Sequence, residues 1–310
     1  MSRIPVIIDC DPGIDDAAAL LLAAQAQELD IKAITTVAGN VGVDLTTRNA
    51  LRIRHAIGRK DIPVFSGASD PMAREPVDAS FFHGVDGFGG VQYMIPDDEV
   101  PEERAWDAIY RIAKELDGEL VIIAVAPMTN IGLAFAKYKD LPKLVKKIII
   151  MGGAVVGGNA TASAEFNIYA DPHAADLMFC SGVPVHMCGL DVTMKAYMTS
   201  EELEEIGKLT SPQAKLFYDL LKTYLKQYEA WGMPNIALHD PAAIVYAMDE
   251  SMFKKEQAGI RVETEGKLTL GKTVADVYSD RQFDERIHYA VMDIDREAFI
   301  SKIMELMAKY

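Results

Sequence analysis

Four aspartates fall within eight residues near the start of the chain: Asp9, Asp11, Asp15 and Asp16, in the run D-C-D-P-G-I-D-D. Asp9 and Asp11 stand two apart on an extended segment, so their side chains point the same way. Pro12-Gly13 bends the chain, and Asp15 and Asp16 then fall in or near the first turn of a helix. Acidic residues at a helix start satisfy free N–H groups and the helix dipole. That accounts for one or two of them, not for four converging on one small volume. Two unit charges about 4 Å apart repel by about 4 kcal/mol at an effective dielectric near 20. Such a cluster must be solvated, protonated or neutralised by a cation, and a cation is expected. The donors are all hard oxygens, which selects calcium or magnesium over zinc. Calcium accepts about 6 to 8 oxygens and leaves room for substrate hydroxyls, whereas magnesium holds to a stricter octahedron. The spacing prefers calcium without excluding magnesium.

Further polar motifs recur where strands should end. Asn40 sits in the glycine-flanked A-G-N-V-G, as a turn residue or as an amide aimed at a carboxylate or hydroxyl. His83 stands in F-H-G-V-D-G-F-G-G, a long glycine-rich loop of the kind that often forms a lid. In A-V-A-P-M-T-N a main-chain carbonyl is left free by an irregular strand end, and Thr129 or Asn130 caps the next helix. The densest polar loop runs from Met151 to Pro172. It lacks G-K-[ST] and a helix-opening G-x-G-x-x-G, so it is not a phosphate loop. Glu165 and Asn167 alternate on an extended stretch and share a face suited to hydroxyls. Asp171-Pro172 reads as a structural N-cap. Asp240-Pro241 reads the same way, but capping does not call for His239 before it.

The elements that must position these residues alternate in type. Strands fit 5–8, 31–37, 120–125, 147–151 and 184–188; helices fit 14–28, 44–57, 104–116, 129–137 and 172–180. Near-continuous Val/Ile runs imply strands buried on both faces, as in a parallel sheet. The alternation implies an α/β fold with an open, doubly wound, mostly parallel sheet. Such sheets bind ligands beyond the carboxyl ends of their strands. A helical excursion covers 199–249, with an amphipathic stretch at 212–230. Strands at 256–264, 272–278 and 287–293 and a helix at 295–308 follow. No repeat or low-complexity linker interrupts residues 1–310, so one domain is expected.

Bulk properties narrow the partners. The 310 residues are 50% hydrophobic, enough for a large core. A net charge of -15 repels phosphates, which argues against nucleic acid and favours an uncharged ligand. No apolar run reaches the roughly 18 residues of a membrane span, and the start lacks the pattern of a secretion signal. A cytoplasmic protein is the simplest reading. Cys10, Cys180 and Cys188, odd in number and without C-x-x-C, read as small buried residues rather than a disulfide or zinc framework.

VIIDCDPGIDDAAAL, TTVAGNVG, FHGVDGFGG, APMTNIGLA, MGGAVVGGNATASAEFNIYADPHAA and HDPAA occur in this order from residue 5 to about 247. In order and spacing they resemble the inosine-uridine nucleoside hydrolases. The resemblance implies that family's open α/β fold and cleavage of the N-glycosidic bond of ribonucleosides by a calcium-bound water. It implies calcium ligation by Asp11, Asp16, Asp240 and the Val125 carbonyl, with the ion also holding the ribose 2′- and 3′-hydroxyls. Asp11 would be the general base. Asp15 and Asn167 would bind ribose, with Asn40 in support. Asn159 and Glu165 would hold the 5′-hydroxyl, Met151 would contact the sugar, and His83 would lie in a mobile loop over the base. His239 would stand near the base as the acid for the leaving nitrogen. A homodimer or homotetramer is implied too.

Three departures stand out. V-A-P-M-T-N replaces the family's frequent T-G-P-L-T-N, which a carbonyl ligand tolerates. His173 replaces a frequent Glu after D-P, as a surface change. Pyrimidine-preferring members tend to have Gln followed four residues later by Tyr; here Gln227 is followed by Trp231, which leaves purine against pyrimidine preference open. Two other functions fit parts of the pattern: a metal-dependent phosphohydrolase using Asp9 and Asp11, and a non-catalytic, calcium-dependent nucleoside-binding protein. The first would need basic groups that the strand-end motifs lack, and retention of Asp11 and His239 disfavours the second.

Overall fold

A computed structural model describes residues 3–93, 98–277, 283 and 286–310. The strands are β1 (Ile4–Cys10), β2 (Leu29–Thr36), β3 (Val64–Ser66), β4 (Leu120–Ala124), β5 (Val145–Met151), β6 (Val185–Cys188), β7 (Tyr197–Met198), β8 (Ile236–Ala237), β9 (Phe253–Val262), β10 (Thr273–Asp276) and β11 (His288–Ile294). The helices are α1 (Ile14–Gln25), α2 (Val43–Ala56), α3 (Ser80–His83), α4 (Ala105–Leu116), α5 (Thr129–Lys137), α6 (Phe166–Ala170), α7 (Pro172–Phe179), α8 (Leu190–Thr193), α9 (Ser200–Gly207), α10 (Pro212–Ala230), α11 (His239–Met248) and α12 (Arg296–Ala308).

Nine strands form one sheet in the order β10-β9-β11-β6-β5-β4-β1-β2-β3. The pairs from β3 through β11 are parallel, while β9 pairs antiparallel with both β11 and β10. This is the mixed, mostly parallel α/β sheet expected. The apolar runs are continuous because both faces are covered. In β1, Val6, Ile8 and Cys10 enter one core and Ile7 the other. In β4, Val121 and Ile123 face the first core, and Leu120, Ile122 and Ala124 the second.

Helix α1 is buried from Ile14 to Ala23, which its all-round apolar sequence requires. It packs against α2, α10, α11 and α12. The helical excursion thereby closes over the helix that begins at the aspartate cluster. From β1 the chain leads to β2 and β3 on one side, and then to β4, β5 and β6 on the other. The strand order therefore reverses between β1 and β4, and a crevice opens at their carboxyl ends.

Several local expectations change. β3 is too short for periodicity to reveal, and α1 ends at Gln25 rather than 28. The excursion also contains the antiparallel ribbon β7–β8. Residue 278, the expected end of one strand, lies outside the described residues. Cys10 and Cys188 are buried, but Cys180 is exposed at the end of α7. Among the described residues no helix is long and apolar enough to cross a membrane.

Candidate active site at the carboxyl ends of the strands

The bend after β1 sets the floor of the site. The Asp16 carboxylate accepts the main-chain N–H groups of Asp11 and Gly13, each at 3.0 Å. It also accepts the Asn40 side-chain amide at 3.0 Å. Asp16 thus fastens the helix start, as the capping argument allowed. Asn40 donates its main-chain N–H to Asp11 Oδ2 at 2.6 Å, so the second strand-end loop holds the first. Close approach demands glycine here: a Cβ on Gly39 would stand 2.1 Å from Asp11 Oδ2.

Asp240 arrives from the far end of the sequence, in the first turn of α11. It is not an N-cap; Leu238 occupies that place. Carboxylate oxygens of Asp15, Asp16 and Asp240 lie within 4.8 Å of one another. Asp11 is buried beside Asp16, and its Oδ1 has no hydrogen-bond partner. Burial, then mutual repulsion, pushes the Asp11, Asp16 and Asp240 carboxyls above the ordinary range, Asp16 to about 7. Burial also raises Asp15, against a lowering pull from His239. Clustered acids with an unpartnered buried oxygen fit a hard divalent cation. Asp11, Asp16 and Asp240 can supply carboxylate ligands, and Val125, one residue past β4, lines the same cavity as Asp15 and Asp240.

Asp9 does not join this group. Its Oδ1 accepts both Thr35 Oγ1 at 2.5 Å and Asn130 Nδ2 at 2.8 Å, and its Oδ2, though buried without a partner, is not among the carboxylate oxygens that meet near Asp240. Asn130 therefore does not cap α5; it ties β1 to the Thr36 carbonyl and the Ala68 N–H. Thr129 is not the cap either, since its hydroxyl donates to Asp171. Asp171 does cap α7 through the Ala174 N–H.

The opposite wall comes from the 151–167 segment. Glu165 and Asn167 are not on an extended stretch. Glu165 is the N-cap of α6, accepting the N–H groups of Asn167 and Ile168, and it also accepts that of Gly153. Burial raises its carboxyl to about 7. Asn167 donates its amide to the carbonyls of Val125 (3.2 Å) and Met151 (3.0 Å). Asn159 Oδ1 accepts the Phe166 N–H at 2.9 Å.

His239 opens α11 and is held at both nitrogens: Nδ1 by Thr193 Oγ1 at 2.8 Å and Nε2 by Tyr228 Oη at 3.0 Å. Burial lowers its pKa, partly offset by the Asp15 charge. His83 lies on the short helix α3 and is buried, with Nδ1 accepting the Ile14 N–H at 3.2 Å. Burial drops its pKa to about 3, so the ring is neutral with its hydrogen on Nε2.

One cavity of about 550 Å³ joins these groups. Asp15, Asn40, His83, Val125, Met151, Asn159, Glu165, Asn167, His239 and Asp240 all line it; Asp11 and Asp16 lie outside its lining. Among the described residues no lysine or arginine lines it, which does not suit a phosphorylated substrate. The mouth is aromatic. Phe82 packs on Tyr224, Tyr228 and Trp231, and Trp231 stacks on Phe81. Gln227 is half-buried on α10 and is not on the wall. Phe82, Tyr224, Tyr228 and Thr193 escaped the sequence reading. The spacing of Tyr224, Tyr228 and Trp231 along one face of an amphipathic helix was a usable signal; nothing marked Thr193.

Known proteins resemble this chain in sequence and in fold. The chain matches the family described as inosine-uridine preferring nucleoside hydrolase over residues 6–301. The pyrimidine-specific ribonucleoside hydrolase RihA of Photobacterium profundum is 41% identical over 313 residues, covering 100% of both chains. Its counterpart in Citrobacter koseri is 39% identical over 99% of each. A plant nucleoside hydrolase structure, PpNRh1, superposes with a TM-score of 0.93 at 34% identity, covering 99% of each chain. A purine-preferring ribonucleoside hydrolase from Gardnerella vaginalis does so with 0.93 at 31%, covering 98% of each. With a match that spans nearly all of its length, the chain belongs to the inosine-uridine preferring nucleoside hydrolase family.

Proposed function

We propose that this enzyme hydrolyses pyrimidine ribonucleosides to ribose and free base, using calcium on the carboxylate floor. Ribonucleoside N-glycosidic hydrolysis follows from the family and its structural neighbours. The pyrimidine preference, the ion and the residue roles are our reading. The observation that carries it is the meeting of Asp240 with Asp15 and Asp16 at one end of a cavity that His239 also lines. The preference is supported by curated relatives at 37–41% identity that are named pyrimidine-specific.

Cleavage of the glycosidic bond builds positive charge on the sugar, and an acidic floor beneath it is an electrostatic stabiliser. Asp11, Asp16, Asp240 and the Val125 carbonyl would hold a divalent ion, which would supply Lewis-acid chemistry to the water and the sugar. Asp11 would serve as the general base for the attacking water, since Asn40 occupies Oδ2 and leaves Oδ1 free to accept a proton. Asp15, tethered by the Tyr224 hydroxyl at 3.3 Å, and Asn167 hold ribose hydroxyls. Asn159 and Glu165 serve the 5′-hydroxyl, and Met151 packs on the sugar. His239, fixed between Thr193 and Tyr228, is the acid for the leaving nitrogen once its Nε2 exchanges the Tyr228 hydroxyl for the base, while His83 and the aromatic mouth receive the base. The enzyme assembles as a homodimer or homotetramer.

The test is reducing-sugar release from uridine, cytidine, inosine and 2′-deoxyuridine, with and without chelator. Uridine and cytidine should turn over at least about tenfold better than inosine, within the range a binding pocket can discriminate. Deoxyuridine should resist cleavage, and calcium should restore chelated enzyme. Equal cleavage of uridine and deoxyuridine, or indifference to chelator, overturns the reading.

A further inference from the structure

The loop between β5 and α6 places Gly157, Gly158, Asn159 and Ala160 on the cavity wall. Its glycines give it little conformational preference of its own, so something else must set its shape. The ammonium of Lys272 donates to the carbonyls of Ala154 (2.8 Å), Val155 (2.9 Å) and Gly157 (3.4 Å). From the other side, the carboxylate of Asp191 accepts the N–H groups of Val155 (2.6 Å) and Val156 (3.1 Å). A cation thus holds the loop's carbonyls and an anion its N–H groups, and charge-assisted hydrogen bonds are the stronger kind. Thr273 adds a hydroxyl bridging the N–H and carbonyl of Ala154. Neither charged residue belongs to the loop. Lys272 precedes β10 at the sheet edge, away from the cavity wall; Asp191 lies on α8, two residues before the Thr193 that holds His239, and reaches the wall itself, so Lys272 is the cleaner test of the clamp.

We propose that Lys272 and Asp191 are positioning residues that clamp loop 154–157 and thereby fix Asn159 against the 5′-end of the ribose. The inference rests on the reading above that Asn159 serves the 5′-hydroxyl. A loop clamped for that purpose should matter only when the hydroxyl is there to be bound.

The experiment compares uridine with 5′-deoxyuridine in wild type, Lys272→Met, Asp191→Asn and Asn159→Ala. K272M and D191N should each raise KM for uridine about tenfold, the scale of one charge-assisted hydrogen bond, with kcat within about twofold. On 5′-deoxyuridine both variants should match wild type within about twofold, and Lys272→Arg should recover part of the uridine KM. Should K272M fail to fold, K272R and D191N carry the comparison. Equal losses on both substrates, or an unchanged uridine KM in the clamp variants, overturn the clamp. N159A separates the two layers. If it shows the substrate split and the clamp variants do not, positioning fails while the 5′-hydroxyl reading stands. If N159A loses equally on both substrates, that reading itself fails.

Discussion

The two ends of the same sheet treat buried carboxylates in opposite ways. At the carboxyl ends, Asp11, Asp15, Asp16 and Asp240 crowd together, and burial with repulsion raises Asp16 to about 7. Near the amino ends of β5 and β6, Glu250 is also partly buried. Burial alone would raise it, but Lys147 at 2.5 Å and Lys255 pull it down to about 2. His186 and Tyr246 complete that network, joined at 2.6 Å. Glu250 has its countercharges supplied by the chain; the aspartate floor does not. What separates the two is the countercharge, not burial: Asp9, tied by Thr35 and Asn130, is also raised by burial, to about 6, whereas Glu250 is lowered because two lysines reach it.

The comparison breaks most easily at Asp11. Asp11→Ala should cut kcat on uridine by at least about 10³-fold, within the reach of a lost general base that also holds a metal. Its circular dichroism and melting temperature should stay near wild type, because a repelling buried charge has been removed. Substantial retained turnover would refute the catalytic role. A step smaller, His239→Ala should lose about 10² to 10⁴ on uridine, the usual value of general-acid catalysis. On p-nitrophenyl riboside, whose leaving group needs no proton, it should lose little. Equal losses on both would remove His239 as the acid. Smallest in activity, Glu250→Gln should keep kcat within about twofold while costing about 1 kcal/mol of stability.

That stability cost should depend on pH in a definite sense. The folded Glu250 carboxyl lies at about 2, below its ordinary 4.5. Its stabilisation is therefore full above about 4.5 and lost as pH falls toward 2. The melting-temperature gap between wild type and E250Q should be widest near neutrality and close in acid. A gap that grows on acidification would mean the lysines do not control this carboxylate.

Much of the fold was readable, for a physical reason. β1, β4 and β5 carry unbroken apolar runs because they are buried on both faces, and α1 is apolar all round because other helices enclose it. Short elements such as β3 and the β7–β8 ribbon hold two or three residues each, too few for any period to show. The polar segment 165–167 was misread as extended. Alternation of Glu165 and Asn167 is equally compatible with an N-cap followed by a helical turn, and only the N–H groups that Glu165 accepts decide it.

By itself the sequence determined the identity of the acidic floor, the histidines and the polar strand-end loops, since residue type and local spacing specify what chemistry a group can do. It also determined that the strands must be covered on both faces. Only the tertiary structure decided which aspartates meet. Asp9 lies within two residues of Asp11 yet is occupied by Thr35 and Asn130, whereas Asp240 comes from the far end of the chain to lie beside Asp16. Strand order brings distant loops to one crevice and so sets which carboxylates lie together, which is not encoded in local spacing.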